Sequence, residues 1–166
     1  MSFVRNEDFL KYTSVELKSI KELNISSVLE KAVKRQLIAD TKVGIFLSGG
    51  VDSSILAAYA SRYGVKDAFT ISTDSTLDEA KYAEMVQKKF DLNLHILKVS
   101  GKDFLKNFER WVSLNDDPVS DPSAYALLLL SDYARSKGFK VMLAGDGADE
   151  LFGGYNAHTR FLWAKI

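Results

Sequence analysis

The hydrophobic pattern becomes regular from Ser27 onward. Val28, Leu29, Ala32, Val33 and Leu37, with Gln36 among them, keep one helical face mostly apolar, and Ser27-x-x-Glu30 predicts a capping box at its start. The run Val43-Gly44-Ile45-Phe46-Leu47 is too short for a helix and reads as a buried strand that the first helix covers. A glycine turn follows, then a predicted helix from about Ser53 to Tyr63-Gly64, where glycine suits the left-handed residue past a helix end. Ala68 to Ser72 predicts the second strand. Thr73 to Leu77 is turn-like, Thr76-x-x-Glu79 suggests a cap, and Ala80, Ala83, Met85, Val86 and Phe90 supply the buried side of the next helix. Leu94 to Val99 is the third strand. Lys102 to Leu114 has helical spacing at Phe104, Leu105, Phe108, Trp111 and Val112, with Phe108 and Trp111 expected in the core, and Asp117-Pro118 forbids continuation. A helix from Ser123 to Lys137, closed by Gly138, leads to a fourth strand, Val141 to Ala144.

Short apolar strands alternating with helices of about a dozen residues predict an α/β fold: a doubly wound parallel sheet with helices on both faces. In such sheets ligands bind beyond the carboxyl ends of the strands, near the switch in strand order. The glycine turn, the Thr73 loop and the segment after Ala144 all fall on that edge. Residues 1–25 read as an extension that packs irregularly or adds a short helix, and residues 26–166 as the domain.

Composition narrows the possibilities. With 46% hydrophobic and 11% aromatic residues in 166, a packed core is expected. Lys+Arg and Asp+Glu are equal at 22, so no basic field recruits nucleic acid. There is no cysteine, hence no disulfide frame, thiolate metal site or cysteine nucleophile. No stretch approaches the roughly 20 apolar residues of a membrane span and no signal-peptide core is evident, so a cytoplasmic protein without a membrane is the expectation.

The chemistry concentrates in two segments. In Leu47-Ser48-Gly49-Gly50-Val51-Asp52-Ser53-Ser54, a strand, a glycine turn and a helix start bring unpartnered N–H groups and the helix dipole to one point, an arrangement suited to phosphate, with Ser48, Ser53 and Ser54 adding hydroxyls. It is not a Walker loop, because no lysine follows the glycines. Asp52 beside phosphates implies a divalent cation between them, so magnesium is expected as much as nucleotide. A serine and glycine cluster is also what an ordinary tight turn looks like. The second segment, Gly145-Asp146-Gly147-Ala148-Asp149-Glu150-Leu151-Phe152-Gly153-Gly154-Tyr155, packs three acids and four glycines after a buried strand. Carboxylates there are costly without cations or donors.

Ser48 to Ser53 resembles the pyrophosphate loop of the N-type ATP pyrophosphatases. Together, Leu47 to Ser54 and Gly145 to Tyr155 resemble the two signatures of the asparagine synthase family, in a fold of the adenine nucleotide alpha hydrolase type. Asp117 to Ser123 and Asp78-Glu79-Ala80-x-Tyr82-Ala83 are similar to further stretches of it. The resemblance implies an ATP- and magnesium-dependent synthetase: a carboxylate attacks the α-phosphorus, an acyl-adenylate forms, pyrophosphate leaves, and ammonia displaces AMP. By the same resemblance Ser48, Gly49, Gly50, Ser53 and Ser54 cradle the β and γ phosphates, Leu47, Ile71 and Gly145 line the adenosine, and Val51 counts among the nucleotide-binding positions. Asp52 and Asp149 hold magnesium, and Asp146 stands near the reacting carboxylate and ammonia, giving Asp52, Asp146 and Asp149 as catalytic candidates. The acceptor is a small-molecule carboxylate, aspartate first; β-lactam closure, amidation of another carboxylate, and a non-catalytic nucleotide-binding subunit remain alternatives.

The family's glutaminase domain opens with a cysteine that this chain lacks, and its synthetase domain continues into helices bearing a lysine that faces the phosphates. Lys165 lies too close to the motif for that role. Either a partner subunit or homo-oligomer completes the site, with Phe161, Leu162, Trp163 and Ile166 as shared apolar surface, or the chain is a truncated or reduced form of the family's domain. His95 reads as a structural strand residue and His158 as a solvated one. Asp117, Asp121 and Ser123 either order a substrate loop or cap a helix, and Thr73 to Ser75 lies where nucleotide or acceptor would touch.

Overall fold

The computed structural model describes residues 24–73, 80–117, 119 and 121–155. In chain order these form α1 (Ile25–Gln36), β1 (Val43–Phe46), α2 (Val51–Arg62), β2 (Asp67–Thr73), α3 (Ala80–Phe90), β3 (Asn93–Val99), α4 (Gly101–Ser113), α5 (Pro122–Ser136), β4 (Val141–Leu143) and α6 (Ala148–Phe152). The four strands form one parallel sheet in the order β3-β2-β1-β4. The chain winds outward from β1 through β2 to β3, then returns across the sheet to pair β4 with the free side of β1. Right-handed crossovers in opposite directions must pass over opposite faces. Accordingly Val33 of α1, Ala57 and Ala60 of α2 and Ala83 of α3 pack with Ile45, Leu47 and Ala68 on one face, whereas Leu130 and Ala134 of α5 pack with Phe69 and Phe139 on the other. The doubly wound architecture read from the sequence is the observed one, with its switch point between β1 and β4. Among the described residues no helix is long and apolar enough to cross a membrane.

Several local expectations change. The first helix is capped by Asn24, whose Oδ1 accepts from Ser27 N at 3.3 Å, so Ser27 and Glu30 form no capping box. Glu30 instead meets Arg62 at 3.5 Å and accepts from Tyr63 Oη at 3.2 Å, tying α1 to α2. A capping box does occur at Ser100 and Asp103, opening α4, and the Ser100 hydroxyl and backbone N–H hold the Asp103 carboxyl below its ordinary range. Helix α2 begins at Val51 rather than Ser53, which places Asp52 in its first turn. Helix α5 begins at Pro122, with Asp121 accepting from Ser123 N at 2.8 Å. Proline's fixed φ suits the first helical position and its missing N–H costs nothing there.

Phe108 is not a core residue. It is 57% exposed, because only one side of α4, Phe104 and Trp111, faces Tyr125 of α5. The ion pair of Arg110 with Asp132 fastens the same two helices. His95 is structural, as expected: its Nε2 lies 2.8 Å from Asp67 Oδ1 and its ring stacks on Phe69 at 4.5 Å. The Thr76 cap, Asp78, Glu79, His158, the 1–23 part of the extension and the apolar positions from Phe161 to Ile166 lie outside the described residues.

Candidate nucleotide site at the sheet switch point

The glycine turn is held from below and from the side. Leu47 is 1% exposed and its N–H donates to Phe69 O at 2.9 Å, so the strand ends in the sheet before the chain turns. Gly49 has φ +85°, and a Cβ there would lie 2.5 Å from Ala83 N and Tyr82 Cβ of α3. Only glycine provides both that backbone angle and that approach. Within the turn the hydroxyls close a ring: Gly50 N donates to Ser48 Oγ at 3.2 Å, Ser48 Oγ and Ser53 Oγ are 3.0 Å apart, and Ser53 Oγ donates to Gly50 O at 3.2 Å. Ser54 Oγ also donates to Gly50 O, at 2.6 Å. The hydroxyl protons of Ser53 and Ser54 are thus engaged within the loop, and a phosphate would have to take them from Gly50 O. The first-turn N–H groups of Val51, Asp52 and Ser53 have no intrahelical acceptor, and the N-cap Gly50 has no side chain to cover them.

The second motif reaches the first. Gly145 follows β4 and sits against α2: a Cβ there would be 3.2 Å from Asp52 Cβ and 3.4 Å from Ser53 N. Gly147, at φ +88°, then starts α6, which carries Asp149 and Glu150 in its first turn. A cavity of about 710 Å³ lies between these motifs at the carboxyl ends of the strands. Ser48, Asp52, Ser53, Gly145, Asp146, Gly147, Asp149 and Glu150 form its polar side; Phe46, Phe69, Ile71, Leu127 and Leu130 form its apolar side. Asp121 and Ser123 reach it from the start of α5, and Thr73 from the end of β2. This volume is within the range of small-molecule and cofactor sites.

The candidate residues divide accordingly. Leu47, Ser48, Asp52, Ser53, Ile71, Gly145, Asp146 and Asp149 line one cavity, whereas Gly49, Gly50, Val51 and Ser54 shape the loop behind it, and Asp117 stands apart. Sequence reasoning missed Phe46, Thr70, Glu150 and Tyr155. Tyr155 Oη donates to Glu150 Oε1 at 2.8 Å, and that hydrogen bond, with the charges of Glu150, Asp149 and Asp146, pushes its phenol up. Five carboxylates and no lysine or arginine line the cavity among the described residues.

The profile of the asparagine synthase family matches residues 24–165, both motifs included. The chain belongs to the asparagine synthase family. A Mycobacterium tuberculosis protein provisionally assigned as a glutamine-hydrolysing asparagine synthetase is 40% identical over 141 residues, covering 81% of this chain and 21% of that protein. A glutamine-hydrolysing asparagine synthetase of Bacillus subtilis is 34% identical over 137 residues, 78% of this chain and 18% of its own length. The chain therefore spans about a fifth of the length of these two relatives. An ammonia-dependent NAD synthetase from Campylobacter jejuni, solved with nitrate, shares the fold at a TM-score of 0.51 and 16% identity, over 80% of this chain and 59% of that one. The chain thus shares the α/β architecture of that NAD synthetase, and its segments Leu47 to Ser54 and Gly145 to Tyr155 meet at the switch point.

Proposed function

We propose that this chain carries the ATP-binding and adenylating part of an amide-forming synthetase, with aspartate as the first acceptor to test. The observation that supports it is the single cavity that collects Ser48, Asp52 and Ser53 from one motif and Gly145, Asp146 and Asp149 from the other. In this reading the N–H groups of Val51, Asp52 and Ser53 receive the β and γ phosphates and stabilise the charge that develops on departing pyrophosphate. Leu47, Ile71 and Gly145 flank the adenosine. A carboxylate oxygen of the acceptor attacks the α-phosphorus while the bond to the bridging oxygen of pyrophosphate breaks. Ammonia then attacks the acyl carbon, and AMP leaves with the former carboxylate oxygen. Asp146 stands where the reacting carboxylate and ammonia meet.

The donor set fits magnesium. Among the described residues no group of three or more histidine, cysteine or acidic side chains forms a metal cage. Magnesium held between protein and polyphosphate needs only one or two carboxylates, its other ligands being water and phosphate oxygens. Asp52 and Asp149 would supply those carboxylates, and the ion would neutralise the polyphosphate beside the acids.

The decisive experiment measures pyrophosphate release from ATP and magnesium, with aspartate and ammonium present or omitted, beside Asp52→Asn. Release that requires aspartate and is lost in the variant supports the reading; a folded protein that binds no MgATP in calorimetry ends it. The absence of lysine and arginine from the described lining favours a second reading, a nucleotide-binding unit completed by another segment or subunit. That reading predicts MgATP binding without pyrophosphate release.

A further inference from the structure

We propose that the turn at Gly153 to Tyr155 is a positioning device for the two acids of α6, with Gly154 its determining residue. Three independent contacts fold this turn back over the helix. Gly153, at φ +77°, and Gly154 both donate their N–H groups to Asp149 O, at 2.9 and 3.1 Å. Tyr155 Oη donates to Glu150 Oε1 at 2.8 Å. The Asp149 carboxylate occupies the space a side chain at position 154 would need: a Cβ there would be 2.7 Å from Asp149 Cγ, 3.3 Å from its Cβ, and closer still to Oδ1.

The absent side chain at 154 therefore sets the rotamer of Asp149. The obstructed atom is the free end of a short acid, not backbone, and Gly154 does not occupy the left-handed region. Alanine at 154 consequently turns the carboxylate aside without straining the fold. Asp149 lines the cavity, so its orientation governs what that acid can hold. This inference rests on the proposed magnesium role of Asp149, and it assigns to the glycine pair the work that outer partners do for metal-binding carboxylates, while Tyr155 steadies the neighbouring Glu150 and with it the turn.

The test is calorimetric binding of ATP at a series of magnesium concentrations, for the wild type, Gly154→Ala and Tyr155→Phe, alongside urea unfolding. Gly154→Ala should leave the unfolding midpoint unchanged and raise the magnesium needed for half-maximal ATP binding about tenfold, with a smaller rise for Tyr155→Phe. An unaltered magnesium dependence in Gly154→Ala overturns the inference, as does a lowered unfolding midpoint, which would make Gly154 a residue of the fold. A wild type that binds no ATP at any magnesium concentration overturns the proposed function, and this inference with it.

Discussion

Adjacent glycines of the first motif should differ sharply in their tolerance of alanine. Gly49→Ala imposes a left-handed backbone on a residue with a Cβ, costing about 1–2 kcal/mol, and drives that Cβ against the backbone of α3. Ala83 N and the Tyr82 Cβ and carbonyl carbon lie at 2.5–2.6 Å and cannot rotate away, so overpacking adds about 1–3 kcal/mol. Together these give about 3 kcal/mol. Gly50 has φ −65° and ψ 167°, a conformation open to any residue, and its Cβ would meet only Ser48 Oγ at 3.3 Å. Alanine is a poorer N-cap than glycine by about 0.5–1 kcal/mol, which the reduced freedom of the unfolded chain roughly offsets. Gly50→Ala should therefore stay within about 1 kcal/mol of the wild type. With a urea slope of about 2 kcal/mol/M, Gly49→Ala lowers the midpoint by about 1.5 M and Gly50→Ala by less than about 0.5 M. Equal midpoints would refute the argument that α3 grips the loop at Gly49.

Other outcomes follow from the same contacts. Arg110 donates to the Asp132 carboxyl and holds it below its ordinary range, so its contribution is present above the unfolded value near 3.9 and is lost as pH falls through the lower folded value. Asp132→Asn should flatten the acid limb of the stability profile in a pH series of urea unfolding, and an unchanged limb would count against the pair. Phe108→Ser should change stability by less than about 0.5 kcal/mol, since that ring faces solvent, whereas Trp111→Ala, which removes an edge contact with Tyr125, should cost about 2 kcal/mol in the same assay. Gly145→Val should weaken MgATP binding by pushing the β4 loop off Asp52 and Ser53, while leaving the far-ultraviolet circular dichroism intact.

The fold was legible because its signals are local. Val43 to Leu47, Ala68 to Ser72 and Leu94 to Val99 are apolar runs of strand length, and glycine or proline punctuates the helices between them. The pairing of Asp52 and Ser53 with Gly145 is long-range: the fold class put both segments on one edge of the sheet, and only the resemblance to a family joined them in one site. Phe108 misled because Phe104, Leu105, Phe108, Trp111 and Val112 form one broad apolar face of which only the edge with Phe104 and Trp111 meets Tyr125, and periodicity does not reveal which part of a face finds a neighbour. Ser27-x-x-Glu30 misled because Asn24, three residues earlier, offers the same capping chemistry with an earlier start. The roles of Tyr155 and Gly154 depend on how a turn folds back onto α6. That geometry leaves no periodic trace.

The pairing of β4 with β1 also bears on how the molecule assembles. Val141 sits beside Val43, so joining these strands closes a loop of roughly a hundred residues, a large entropic step for a strand of three residues at the sheet edge. β4 should thus be among the last elements to dock and the first to open, and it delivers Gly145 to Asp52. A nucleotide bridging the two motifs would act as a clasp across that long closure. Its binding energy should appear as slowed amide exchange along β4, far more than along β2 and β3, whose seven-residue register needs no such help.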